Sequence, residues 1–132
     1  GGGSGLCSTL ADYSHFALML AGYGEYKGKR ILSRKTIEYM TTDQLTQVQR
    51  NSIYFESALG YTYSNLMRIF DAKAPAASNG SYGEFGWDGL PGNYFMIDPK
   101  EELVFLYFQQ IREGADLSLR RRMRNIIYGA LE

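Results

Sequence analysis

Residues 80–99, GSYGEFGWDGLPGNYFMIDP, offer the chain's best surface for holding a ligand. Glycine stands at every third position from Gly80 to Gly92, with Tyr82, Phe85 and Trp87 between. A collagen helix is excluded, because the period ends after five glycines and includes a single proline, Pro91. On a strand, glycine leaves the backbone N–H and C=O groups open to close approach. Here the glycines feed the apolar run Tyr94-Phe95-Met96-Ile97 and the turn signal Asp98-Pro99. A glycine-lined edge leading into a buried hairpin suits the wall of an enzyme cleft.

Other residues with chemistry in them are few and scattered. Cys7 is the only cysteine, which excludes an internal disulfide and a multi-cysteine metal site. As a lone thiol before a helix it could be activated, but a small, semi-buried residue is the plainer reading. His15 is the only histidine, and it reads as an exposed helix residue with no activated nucleophile beside it. No metal-ligand spacing or phosphate loop occurs, and Gly22-Tyr23-Gly24 lacks both a third glycine and a preceding strand. Arg120, Arg121, Arg122 and Arg124 suggest either a phosphate grip or a solvated helix face. With 14 basic and 14 acidic residues the net charge is zero, which favours the solvated face and gives no pull toward nucleic acid.

The elements that would position these residues follow from pattern. At 132 residues, 45% of them apolar, the chain suffices for one domain spanning 1–132. No apolar run approaches the ~18 residues of a membrane helix. The opening GGGSG does not read as a secretory leader, and the lack of an initial methionine suggests a piece of something longer. Thr9 and Asp12 predict a cap for a helix over about Leu10 to Ala21, with Leu10, Tyr13, Phe16, Ala17 and Leu20 on its apolar face and Gly22 ending it. Ser33 predicts a second cap, for a helix carrying Ile37 and Met40 and fading near Leu45. Gly28-Lys29-Arg30 reads as a turn between them.

Residues 46–56 match no template. One or two strands are expected between Ala58 and Phe70, then a surface loop over 71–81. Strands follow at about Glu84–Asp88 and Gly92–Ile97. The unbroken apolar run Leu103–Phe108 predicts a strand covered on both faces, joined to its predecessor by the Pro99–Glu102 turn. Asp116 predicts the cap of a last helix whose stripe is Leu119, Met123, Ile126, Ile127 and Ala130. The class is α+β: an antiparallel sheet of three to five strands, packed by two N-terminal helices and a C-terminal one.

Several segments resemble the serine β-lactamase-related family, which includes class C β-lactamases, penicillin-binding D,D-peptidases and esterases. GGGSGLCSTLADYSHFALML is similar to one family segment, and Ile31-Leu32-Ser33-Arg34-Lys35-Thr36 with Met40-Thr41-Thr42 to the next. Phe85-Gly86-Trp87-Asp88-Gly89, then Gly92-Asn93-Tyr94-Phe95 and Ile97-Asp98-Pro99, resemble the third-motif strand and its hairpin. The resemblance implies the C-terminal portion of a β-lactamase-like fold, with an N-terminal half lying outside this chain.

It also implies acyl transfer without a cofactor, in which a serine attacks an ester or amide carbonyl and the resulting ester is hydrolysed. The nucleophile of that family sits in Ser-x-x-Lys, and no serine here has lysine three residues on. Ser118 comes nearest, but Arg121 stays protonated and cannot act as base. Tyr63-Ser64-Asn65 matches the second motif in letters but not in order along the chain, so Tyr63 reads as a strand aromatic. Trp87-Asp88-Gly89 fills the third-motif slot in a form closer to the esterases, with Trp87 where a β-lactamase places a cation for a substrate carboxylate. The resemblance thus assigns Leu90 as a backbone oxyanion donor and Trp87, Asp88, Gly89 and Tyr94 to substrate binding. The chain alone is expected to be inactive. The alternative is a non-catalytic module binding a peptide or cell-wall fragment. Uncovered strand surfaces also predict a homodimer.

Overall fold

The computed structural model describes residues 5–52, 59–71, 78–111 and 116–132. Helix α1 spans Leu10–Ala21 between the predicted caps: the Thr9 side chain accepts from the Asp12 N–H, and Gly22 closes the other end. Glu25–Tyr26 (β1) and Lys29–Arg30 (β2) form a small hairpin, where a plain turn was expected. Its two central residues, Lys27 and Gly28, have φ of 49° and 74°, the left-handed pair that a two-residue hairpin needs.

Helix α2, Arg34–Met40, is capped by Ser33 as expected but stops at Thr41, short of Leu45. The segment that matched no template holds a five-residue helix, α3, Gln47–Asn51. Thr46 and Gln49 cap it reciprocally, and it buries none of its residues. Arg50 ties this helix to the sheet through ion pairs with Asp43 and, at 3.3 Å, Asp71.

Five strands form one antiparallel sheet in chain order: β3 (Tyr61–Tyr63), β4 (Arg68–Phe70), β5 (Phe85–Asp88), β6 (Tyr94–Asp98) and β7 (Leu103–Tyr107). Helix α4, Leu117–Tyr128, follows its Asp116 cap. The fold is therefore α+β, with the sheet between two helical layers. On one face Ala17, Met19 and Leu20 of α1 and Ile37 of α2 pack on Ile69, Phe85, Phe95 and Ile97. On the other, Tyr128 of α4 packs with Tyr94 and Met96.

Strand β6 is buried along its whole length, because it runs through the sheet's interior between both layers. Strand β7 touches both cores, Val104 and Leu106 on one face and Leu103, Phe105 and Tyr107 on the other. Both faces are covered as its unbroken apolar run implies, yet every residue is only half-buried because the strand lies at the sheet's edge.

Helix α4 departs most from expectation. Its buried residues are Arg120, Arg124 and Tyr128, spaced four apart on one face. Ile126, assigned to an apolar stripe, is 72% exposed. The solvated-arginine reading is thus corrected for Arg120 and Arg124, because the sheet face beneath them carries carboxylates. Cys7 is also corrected, being exposed and not semi-buried.

Candidate functional site

Pleating puts alternate strand residues on the same face, and under α4 those residues are polar. Strand β4 contributes Arg68, β5 contributes Asp88 with Glu84 just before it, and β6 contributes Tyr94 and Asp98. Three arginines from two elements thus meet three carboxylates in a layer that would ordinarily be apolar.

At the α4 centre Arg124, 1% exposed, pairs with Glu84 and donates to the Tyr94 hydroxyl at 3.1 Å and the Asn79 carbonyl at 2.7 Å. The Tyr128 hydroxyl lies 2.7 Å from Glu84 and 2.5 Å from Asp98. Asp98 in turn accepts the Lys100 and Glu101 N–H groups, closing the β6–β7 hairpin. Burial works against the Arg124 charge, but Tyr94 and Glu84 outweigh it and hold the guanidinium above its usual range. Burial, reinforced by Glu84, pushes the Tyr128 hydroxyl far up; burial and Tyr61 do the same to Tyr94. Gly80 belongs to this cluster, since a Cβ there would collide with the Arg124 Nη2.

At the other end of α4, Arg120 forms an ion pair with Asp88, and Arg68 approaches the same carboxylate at 3.5 Å. Aromatic rings surround the two cations: the Arg68 guanidinium lies 4.5 Å from the Tyr61 ring and 5.8 Å from those of Trp87 and Tyr94. Burial first, then the neighbouring Arg68, lowers the Arg120 pKa.

These charges stand directly behind the residues singled out from sequence. Trp87, Asp88, Gly89 and Leu90 sit together where β5 runs out of the sheet. Trp87 is 38% exposed, its ring edge-on to Tyr63 at 5.4 Å, so Tyr63 serves as an aromatic neighbour. Gly89 donates to the Asn93 carbonyl at 2.8 Å and accepts from Gly92 at 2.9 Å, which turns the chain back into β6. Leu90 projects from that turn, 74% exposed, and its N–H donates to no described acceptor.

Tyr94 is not on this rim. It pairs with Asp88 across the strands but is 2% exposed, with its hydroxyl committed to the Arg124 cluster. Nor are all the glycines open to an incoming molecule. A Cβ at Gly86 would run into the Phe95 carbonyl of the next strand, so the close approach there comes from the chain itself.

His15 is exposed, with its ring 5.3 Å from Tyr26, and stands apart from the rim. A groove of about 370 Å³ lies at the opposite end of β5, lined by Leu20, Tyr23, Glu38, Tyr82, Phe85 and Lys100 among others, and includes none of the predicted residues. Among the described residues no cluster of histidine, cysteine, aspartate and glutamate could hold a metal ion, and no helix is long and apolar enough to cross a membrane.

What sequence reasoning missed is the charged layer. Its signal was present: Arg120, Arg124 and Tyr128 recur every four residues, and Glu84, Asp88, Tyr94 and Asp98 hold alternating strand positions of one parity within each strand.

No family model matches the chain. It is 36% identical over 122 residues to two curated Mycobacterium tuberculosis proteins, "Uncharacterized protein MT1414" (strain CDC 1551 / Oshkosh) and "Protein Rv1367c" (strain ATCC 25618 / H37Rv). Those matches take in 89% of this chain but only 30% of either relative's length. Among solved structures, a mutant of simvastatin synthase (LovD) from Aspergillus terreus superposes with a TM-score of 0.72 at 20% identity, over 92% of this chain and 33% of that one. A Bacteroides dorei DSM 17855 protein described as a "putative beta-lactamase" gives a TM-score of 0.53 at 17% identity, over 95% of this chain and 42% of that one. The two-layered helix packing, the order of strands and these superpositions agree: the chain has the fold of the C-terminal portion of a β-lactamase-like protein.

Proposed function

We propose that this chain forms one wall of an acyl-transfer pocket in a β-lactamase-like serine hydrolase acting on a small ester, amide or peptide-like substrate. The observation that carries the reading is Leu90: its N–H, with no hydrogen-bond partner among the described residues, lies on an exposed turn directly after Trp87-Asp88-Gly89. A fixed backbone donor of this kind stabilises an oxyanion as charge develops, because it needs no reorganisation at that moment. Arg68 and Arg120 hold Asp88 from behind, and the Gly89–Asn93 hydrogen bond fixes the turn, so the donor sits on a rigid mount. Trp87 and Gly89 give the substrate an apolar ledge. The serine, its base and the second donor would come from residues outside this chain.

Two measurements test this. The 132-residue chain should neither hydrolyse a p-nitrophenyl ester at an enzyme-like rate nor take a serine-directed covalent probe, whereas a longer protein that includes it should do both. In that longer protein Leu90→Pro, which deletes the N–H, should lower kcat by about 10²- to 10³-fold. Labelling of the short chain, or an unchanged kcat in the proline variant, overturns the proposal. Failure of the longer protein to hydrolyse or label, with a peptide or cell-wall fragment bound at Trp87, would favour the non-catalytic module.

A further inference from the structure

The groove at the far end of β5 has walls that the acyl-transfer reading does not use. Its floor is apolar, made by the buried Leu20 and Phe85 with Pro99 beside them. Two exposed tyrosines line it, Tyr23 just after α1 and Tyr82 just before β5. Among the described residues neither hydroxyl has a hydrogen-bond partner, and the Lys100 ammonium has no hydrogen-bond or ion-pair partner. Tyr23 is held at φ 51°, a left-handed conformation that is costly for a bulky residue and that glycine usually supplies just after a helix. Its ring stays exposed, so core packing does not offset that strain. Strain of this kind gathers where a side chain has to be presented to a ligand.

The rest of the wall decides the kind of ligand. Glu38 is already met by Arg34 and, at 2.8 Å, by Lys35, so its charge is balanced. Thr41 and Thr42 give their hydroxyl hydrogens to the Ile37 and Glu38 carbonyls, at 2.8 and 2.6 Å. The groups left open are two phenols and one ammonium, which are donors with an unbalanced positive charge. A cation would meet the unpaired lysine, and a sugar, which must donate as well as accept, is poorly matched. An anionic acceptor on a flat apolar body is matched twice, its charge by Lys100 and its faces by the tyrosine rings and the floor. We infer that this groove binds a small aromatic anion, a ring bearing a carboxylate or a similar acceptor group. At about 370 Å³ it falls in the size range of small-molecule sites. It shares no residue with the Trp87–Leu90 rim, so the inference goes beyond the hydrolase reading and does not rest on it.

The test titrates the purified, isotope-labelled protein with sodium benzoate while backbone amide shifts are read by NMR. Companion ligands isolate each feature. Benzyl alcohol keeps the ring without the charge, benzylamine reverses the charge, and sodium acetate keeps the charge without the ring. Benzoate should shift the amides of Tyr23, Thr42, Gly83 and Lys100 saturably, with a Kd of ~1 mM, and each companion should bind at least about fivefold more weakly. Lys100→Gln and Tyr82→Ala, both at exposed side chains, should each weaken benzoate by a similar factor. The inference is overturned by the lack of a saturable shift up to ~100 mM benzoate, ~100 times that Kd. Shifts centred on the Trp87 rim overturn it too, as does any companion that binds as well as benzoate, or undiminished benzoate binding in either variant. None of these readings involves hydrolysis, so a failure here is distinct from a failure of the acyl-transfer proposal.

Discussion

Arg124 shows how one residue's environment outweighs its type. Arginine on a helix surface reads as solvated, but here its neighbours include a carboxylate, a phenol and a backbone carbonyl, all inside the α4 layer. Removing one partner of such a pair leaves the other charge stranded, at a typical cost of about 3 to 5 kcal/mol. Arg124→Met should therefore destabilise the protein by that order in urea titrations, and a loss under ~1 kcal/mol, the usual worth of a surface pair, would show that the charge is not sealed in. The tyrosines of this layer give a second expectation. Tyr94 and Tyr128 have raised pKa values, through burial first, so their neutral forms stabilise the fold. That stability is complete below the unfolded tyrosine value of about 10 and declines as pH climbs above it. In an alkaline titration two of the eleven tyrosines should stay silent in tyrosinate absorbance until the circular dichroism signal collapses. Early titration of all eleven would refute this.

At the scale of elements, local chemistry was legible where one side chain decides the outcome. Thr9, Ser33 and Asp116 start their helices as read from sequence, each accepting backbone N–H bonds from the first turn. The Asp116 carboxylate is held below its usual pKa, chiefly by its hydrogen bonds to Ser118 and Leu119. A depressed carboxylate contributes above its unfolded value of about 3.9 and loses that contribution as acid protonates it. Acid should thus loosen the start of α4, and Asp116→Asn, which caps without titrating, should abolish that pH dependence in amide exchange of Ser118 and Leu119. Helix α3 was missed because five residues are too few for an apolar stripe, and Val48 is 76% exposed. The α4 stripe was misassigned because periodicity counts apolar residues, whereas here the polar ones face inward. Strand β5 was placed within a residue of its observed start, but not the purpose of Gly86. The Phe95 carbonyl fills the space a Cβ would take, so Gly86→Ala should cost about 1 to 3 kcal/mol by crowding β5 off β6.

Across the whole molecule, both cores run out to one edge. The α1 layer reaches Val104 and Leu106, the α4 layer reaches Leu103, Phe105 and Tyr107, and all five stay half-buried. An edge strand normally protects itself with lysine, proline or a bulge, and LVFLY has no charge and no proline. Its outward N–H and C=O groups thus offer a template flanked by apolar side chains above and below. A second copy could pair there antiparallel, joining two five-stranded sheets and covering what each core leaves exposed. The expected result is reversible dimerisation at tens of micromolar, a weak association by the usual scale, seen as a concentration-dependent rise in sedimentation coefficient. Amides of residues 103–107 should gain protection from exchange over the same range, while those of β3 at the opposite edge should not. A monomer at every concentration, or protection that rises equally at both edges, would mean that β7 does not act as a pairing edge.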